Sequence, residues 1–227
     1  MVFWAGLGLE TFLYGPLSTL AEDATVVTLT NAPGVQLLHV RPGKLDVGAH
    51  EYHGRFDLHF WLDPRNARVI VAAVAKLLAT ADADNATIYA ANAASADRRL
   101  QALDSEIAAM LATVRGIGFL TFHDSLQYFA RRYELTELGS LTVSSDHAPG
   151  ARTMLAARRQ LAKDGAECAA AEPQTPAGLA AALVSGTNAR LAVVDPLGSR
   201  VAPGPAAYGE ILRNLAEILL RCLSSSP

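Results

Sequence analysis

Apolar and polar positions along the chain change period several times, and each change marks an element. Val2-Phe3-Trp4 is a short apolar run that reads as a strand and stops at Gly6. Leu9, Phe12, Leu13, Leu17 and Leu20 fall at helical spacing, with Pro16 marking a break or a helix entry. Ala24–Thr30 is short and β-branched, hence a strand. Residues 31–57 hold Pro33-Gly34, Pro42-Gly43, Gly48 and Gly54 and predict a long loop. Asp63-Pro64 predicts a helix start, with Asp as N-cap and Pro in the first turn. Val69, Ile70, Ala73, Val74, Leu77 and Leu78 then give an apolar stripe to about Thr80. A longer helix is predicted from Asn85 to Val114, with Leu100, Leu103, Ile107, Leu111 and Val114 alternating by three and four. About 30 residues at 1.5 Å each make it roughly 45 Å long, enough to cross a domain or join two.

Beyond Arg115-Gly116 the pattern becomes βαβα. Strands are predicted at Ile117–Phe122, Leu138–Val143, Ala166–Ala171 and Arg190–Val194. Helices are predicted at Ser125–Tyr133, Gly150–Lys163, Pro176–Ser185 and Ala207–Leu223. Such alternation implies a parallel sheet covered by helices. The expected fold class is therefore α/β: a partial N-terminal lobe over 1–84, a connecting helix over 85–114 and a C-terminal lobe over 115–227.

Composition narrows the function classes. The 227 residues carry a net charge of −3. There is no basic stripe, and Arg98-Arg99, Arg131-Arg132 and Arg158-Arg159 read as solvated helix faces, so nucleic acid is not an expected partner. No apolar run reaches the roughly 18 residues that a transmembrane helix needs. No basic segment followed by a cleavable apolar one opens the chain, and the first strand looks already in progress at Met1. Cys168 and Cys222 read either as two buried thiols or as a disulfide formed in an oxidising compartment.

The candidate chemistry sits beside apolar runs. His123 ends the run Phe119-Leu-Thr-Phe122, Asp195 ends Leu191-Ala-Val-Val194, and His59 lies between Leu58 and Phe60-Trp61 just before the helix start at Asp63. A parallel sheet presents ligands at the carboxyl ends of its strands. Two imidazoles and a carboxylate suit Zn²⁺ well and Ca²⁺ or Mg²⁺ poorly. Each residue also has an ordinary reading: a satisfied core His, a turn at Asp195-Pro196, an N-cap at Asp124. Glu172 ends a further strand and is a candidate acceptor that fixes an imidazole tautomer. His50 and His53 form a His-x-x-His pair in the long loop, a pattern that is usually incidental on a solvated loop. The chain lacks a Gly-x-Ser-x-Gly elbow, a Gly-x-Gly-x-x-Gly after a strand and a Walker loop. A zinc hydrolase with Glu172 as base is the enzymatic alternative, and a non-binding remnant is the third.

Several segments, in this order, resemble the substrate-binding proteins of zinc ABC importers, the ZnuA type. They are Val2–Glu10, His59-Phe-Trp-Leu-Asp-Pro-Arg-Asn66, Phe122-His123-Asp124 with Tyr128–Tyr133, Ala148–Arg152, Ala171–Gln174 and Val194-Asp195-Pro196-Leu197-Gly198. The resemblance spans nearly the whole chain. It implies a C-clamp of two lobes joined by one helix with Zn²⁺ in the cleft, no catalytic turnover, a periplasmic location, and delivery of the metal to a membrane permease by a monomer. It implies His59, His123 and Asp195 as metal ligands, with Glu172 and Asp124 in support and His50 and His53 as the remnant of a His-rich loop. It also implies a Cys168–Cys222 disulfide. His at 123 matches the zinc branch; the manganese branch tends to a carboxylate there. Family members begin with a signal peptide and two further strands, where a loop carries another His ligand. By this comparison the first lobe is incomplete, Val2–Ala5 is an exposed strand edge open to association, and water, His50 or His53 completes the coordination.

Overall fold

The computed structural model describes residues 1–20, 23–41, 55–142, 148–163 and 166–224. The chain packs as two units. One comprises Met1–His39 with Gly54–Ala102, the other Val40–His53 with Leu103–Pro227. Among the described residues, no helix is long and apolar enough to cross a membrane.

In the first unit, β1 (Val2–Trp4), α1 (Tyr14–Leu20) and β2 (Val26–Thr28) follow in order, with β1 and β2 paired in parallel. The turn after β1 needs Gly6. Its φ is +134°, and a Cβ there would lie 3.1 Å from both Thr28 Cγ2 and Thr30 Oγ1. Pro16 is accommodated in the first turn of α1, where its missing N–H costs no helical bond. The edge of β1 away from β2 carries no strand among the described residues.

The long loop predicted over 31–57 is not wholly irregular. β3 (Leu38–His39) and β4 (Phe56–Asp57) pair antiparallel within it. Two-residue strands are too short to show alternation in sequence. Asp63 caps α2 (Pro64–Ala81) by accepting the Arg65 N–H at 2.9 Å. Asn66, buried on the first turn of α2, accepts the Gln36 N–H at 2.8 Å and donates to the Gln36 and Phe60 carbonyls at 3.0 Å each. α3 (Ala86–Leu111) runs from the first unit through Ala102 into the second from Leu103. Its 26 residues span about 39 Å.

In the second unit the elements are β5 (Gly118–His123), α4 (Gln127–Tyr133), β6 (Thr136–Thr142), α5 (Ala151–Lys163), β7 (Cys168–Ala171), α6 (Ala177–Val184), β8 (Arg190–Val193) and α7 (Ala207–Leu223). The strands form one parallel sheet in the order β6-β5-β7-β8. At β5 and β7 both faces are covered, which explains their near-continuous apolar runs; at β8 one face leaves Leu191 and Val193 exposed. Leu120 and Phe122 of β5 and Ala169 and Ala171 of β7 pack with Ala157 and Leu161 of α5 and Leu183 of α6. The opposite face of β7 carries Cys168, whose disulfide to Cys222 ties α7 to the sheet across 5.6 Å between Cα atoms. α7 buries Leu212, Leu215, Ala216, Leu219, Cys222 and Leu223, one stripe at three- and four-residue spacing.

Arg131 is solvated as expected, but Arg132 is not. Its guanidinium binds both oxygens of Asp104, with Nε at 2.8 Å from Oδ1, and so fixes α4 to the Leu103–Leu111 part of α3. Arg213 of α7 makes a similar two-bond pair with Glu106 at 2.8 and 2.9 Å.

Candidate metal centre

In the second unit, His123 ends β5, and Glu172 and Asp195 follow the carboxyl ends of β7 and β8, so the three share one rim of one parallel sheet. His123 ends β5 in register with Thr142. Its Nδ1 lies 3.2 Å from Glu172 Oε1 and 3.5 Å from Oε2. Ser125 donates its hydroxyl to the same Oε1 at 2.5 Å. The Glu172 side chain is buried, and its backbone N–H is bound by Thr175 Oγ1 at 3.2 Å. A carboxylate oxygen only accepts, so Nδ1 of His123 is the donor, and in the neutral ring the lone pair is on Nε2.

Asp195 is held differently. Its Oδ2 accepts the Ser199 hydroxyl at 2.8 Å and the Arg200 N–H at 3.0 Å. Its Oδ1 is buried with no hydrogen-bond partner among the described residues. Burial pushes this carboxyl up. The hydrogen bonds from Ser199, Arg200 and Gly198 outweigh it, and the group ends below the usual carboxylate range. It is an anion at neutral pH with one oxygen still able to take a cation.

In the first unit, His59 precedes the short helical turn Phe60–Leu62 that leads to Asp63 and α2. Its Nδ1 is 2.7 Å from Asp57 Oδ1, and its backbone N–H reaches the same oxygen at 2.9 Å. The Trp61 ring stands beside it, centroids 5.4 Å apart. His59 thus repeats the arrangement at His123, with Nδ1 on a buried carboxylate and the lone pair on Nε2. Among the described residues, no three His, Cys, Asp or Glu side chains are gathered into one group that could hold a metal. His50 and His53 lie outside the described residues.

Asp124 has a role other than the N-cap expected for it. α4 begins only at Gln127, after Leu126; Ser125 gives its hydroxyl to Glu172 and its N–H to the His123 carbonyl at 2.8 Å. The Asp124 carboxylate instead receives two bonds from Arg41, with Nε at 3.2 Å. Arg41 also donates to Glu137 on β6 at 2.8 Å, and Thr121 donates to the other Glu137 oxygen at 2.9 Å. Burial and the neighbouring Asp124 push the Glu137 carboxyl up, and Arg41 opposes them. Asp57, Ser125, Arg41 and Glu137 were not among the candidate site residues. Only Asp57 left a local signal, as an Asp two residues before a His that closes a side-chain turn.

Residues 1–222 match the family model described as zinc-uptake complex component A, periplasmic. The chain is 38% identical to the high-affinity zinc uptake system protein ZnuA of Brucella suis over 260 residues, covering 99% of this chain and 77% of that protein. It is 30% identical to the ZnuA of Yersinia pestis, covering 98% and 75%. A crystal structure of ZnuA superposes with a TM-score of 0.81 at 24% identity, covering 98% of this chain and 79% of that one. The laminin-binding adhesin of Streptococcus agalactiae, in a mutant structure, gives 0.78 at 24%, covering 98% and 80%.

Proposed function

The chain belongs to the ZnuA family of periplasmic zinc-uptake components, and on that premise we propose that it captures Zn²⁺ in the periplasm and hands it, as a monomer and without chemical turnover, to the permease of an ABC importer. Residues 1–84 serve as the first lobe, 115–227 as the second, and 85–114 as the helix that joins them in the chain. The zinc ligands are His59, His123 and Asp195, with Glu172 in support.

One observation carries this reading. Both candidate imidazoles rest Nδ1 on a buried carboxylate, Asp57 for His59 and Glu172 for His123, which puts the lone pair of each ring on Nε2. That is the carboxylate–histidine–zinc pattern, in which the second carboxylate raises ligand basicity and fixes the ring. The bare Oδ1 of Asp195 adds an anionic oxygen of the kind that zinc accepts. A hydrolase would need Glu172 as a base, yet its Oε1 already receives Ser125 and faces His123. Asp124 is likewise committed to Arg41 and supports the rim rather than the metal.

Calorimetric zinc titration of the whole chain tests the proposal. The expected result is 1:1 binding that His59→Ala and His123→Ala each abolish or weaken at least tenfold, a change of about 1.4 kcal/mol. Unaltered binding in both variants would remove these residues from the site. Zinc-dependent hydrolysis of ester or peptide substrates would favour the enzymatic alternative.

A further inference from the structure

We infer that Asp57 is a positioning residue for zinc capture: it holds the His59 ring, before any metal arrives, in the tautomer and orientation that present Nε2. This rests on the reading of His59 as a zinc ligand.

The geometry is local and doubly tied. Asp57 ends β4, and its pairing with Leu38 of β3 fixes its backbone. Its side chain is only 6% exposed. One oxygen, Oδ1, accepts both the His59 backbone N–H at 2.9 Å and the His59 ring Nδ1 at 2.7 Å. Main chain and ring of the same residue therefore share a single anchor two residues upstream. On its other side His59 is held by the helical turn it starts, whose Leu62 N–H donates to the His59 carbonyl at 3.1 Å. Asn66 pins the following residue by donating to the Phe60 carbonyl at 3.0 Å.

An imidazole in water prefers the Nε2–H form, which would put the proton where the metal must bind. The Asp57 contact reverses that preference, because a carboxylate oxygen can only accept. The equivalent contact at His123 is weaker in this respect. Glu172 follows a different strand of the sheet and lies 3.2 Å away rather than 2.7 Å. The Asp57–His59 contacts lie within one short stretch of chain, so they form with the local fold.

Long-range ¹H–¹⁵N spectra of the ring nitrogens, recorded on the metal-free full chain, report which nitrogen carries the proton. Zinc affinity is read in parallel by competition with a chelating dye. Wild type is expected to show His59 as Nδ1–H. Asp57→Ala is expected to move His59, and not His123, to Nε2–H and to weaken zinc binding roughly 10- to 100-fold. Asp57→Asn keeps an acceptor oxygen in place and should restore the tautomer and most of the affinity. Wild-type His59 found as Nε2–H overturns the inference on its own, even if Asp57→Ala does not fold. So does an Asp57→Ala variant with unchanged tautomer, or with full affinity where His59→Ala has lost it. If His59→Ala itself binds zinc like wild type, the ligand reading fails instead, and the tautomer shift in Asp57→Ala would still be seen.

Discussion

Replacing both cysteines by alanine should cost the second unit much of its stability while leaving zinc binding unchanged. The disulfide joins Cys168, the first residue of β7, to Cys222 near the end of α7, across a sequence separation of 54. Closing a loop of that length removes unfolded-state entropy worth about 4 kcal/mol in the chain-entropy model. Both residues are buried, Cys168 fully and Cys222 to within 5%, so the substitution also leaves a small void that adds on the order of 1 kcal/mol. For a unit of this size each kcal/mol lowers the melting temperature by about 3–5 °C, for a total drop of roughly 15–25 °C. Glu172 follows the opposite end of β7 from Cys168, about 13 Å along the strand, which is why the metal-binding rim should not notice. The assay is thermal unfolding of the Cys168→Ala/Cys222→Ala variant by circular dichroism beside a zinc titration. A drop under about 3 °C would refute the entropic argument, and a large loss of zinc affinity with the fold intact would refute the separation of stability from the site.

Three further outcomes are expected. Arg41→Ala leaves Asp124 and the buried Glu137 without their cation and should destabilise by about 2–3 kcal/mol in urea unfolding, below the range of roughly 3–5 for a fully buried pair because Arg41 is partly exposed. Without Arg41 the raised Glu137 carboxyl rises further. A carboxyl whose folded pKa exceeds its unfolded one stabilises only while protonated, so the deficit should grow as pH rises above the ordinary carboxylate range and shrink toward acid; a pH-independent deficit would contradict this. Asn66→Ala strands the Gln36 N–H and the Gln36 and Phe60 carbonyls and should cost about 2–3 kcal/mol by chemical denaturation. Asp195→Ala should weaken zinc binding at least tenfold, about 1.4 kcal/mol, with the melting temperature of the metal-free protein little changed.

The parts of the fold legible in the sequence were those with a long period to read. α7 occupies Ala207–Leu223 as its apolar spacing predicts, and α2 begins at Pro64 because Asp63-Pro64 carries both cap and first-turn chemistry. The strand ends that place His123, Glu172 and Asp195 on one rim were legible because each closes an apolar run; β5 and β7 are buried, whereas the β8 run expected to be buried leaves Leu191 and Val193 exposed. β3 and β4 were not, since two residues cannot display alternation. The Ser125–Glu172 contact was hidden because its partners lie 47 residues apart. Arg41 and Glu137 meet across 96 residues, and no local pattern announces a pair that only the folded chain creates. Asp57 did leave a local signal, since its spacing to His59 is that of a side-chain turn.

In the proposed site two imidazoles and a carboxylate oxygen hold the metal. Zinc K-edge X-ray absorption on the 1:1 complex tests it most directly. The account predicts nitrogen and oxygen neighbours at about 2.0–2.1 Å, no sulfur at about 2.3 Å, and imidazole scattering from two rings that falls to one in His59→Ala and in His123→Ala. An imidazole signal that persists unchanged in either variant, or a shell of oxygen alone, would contradict it.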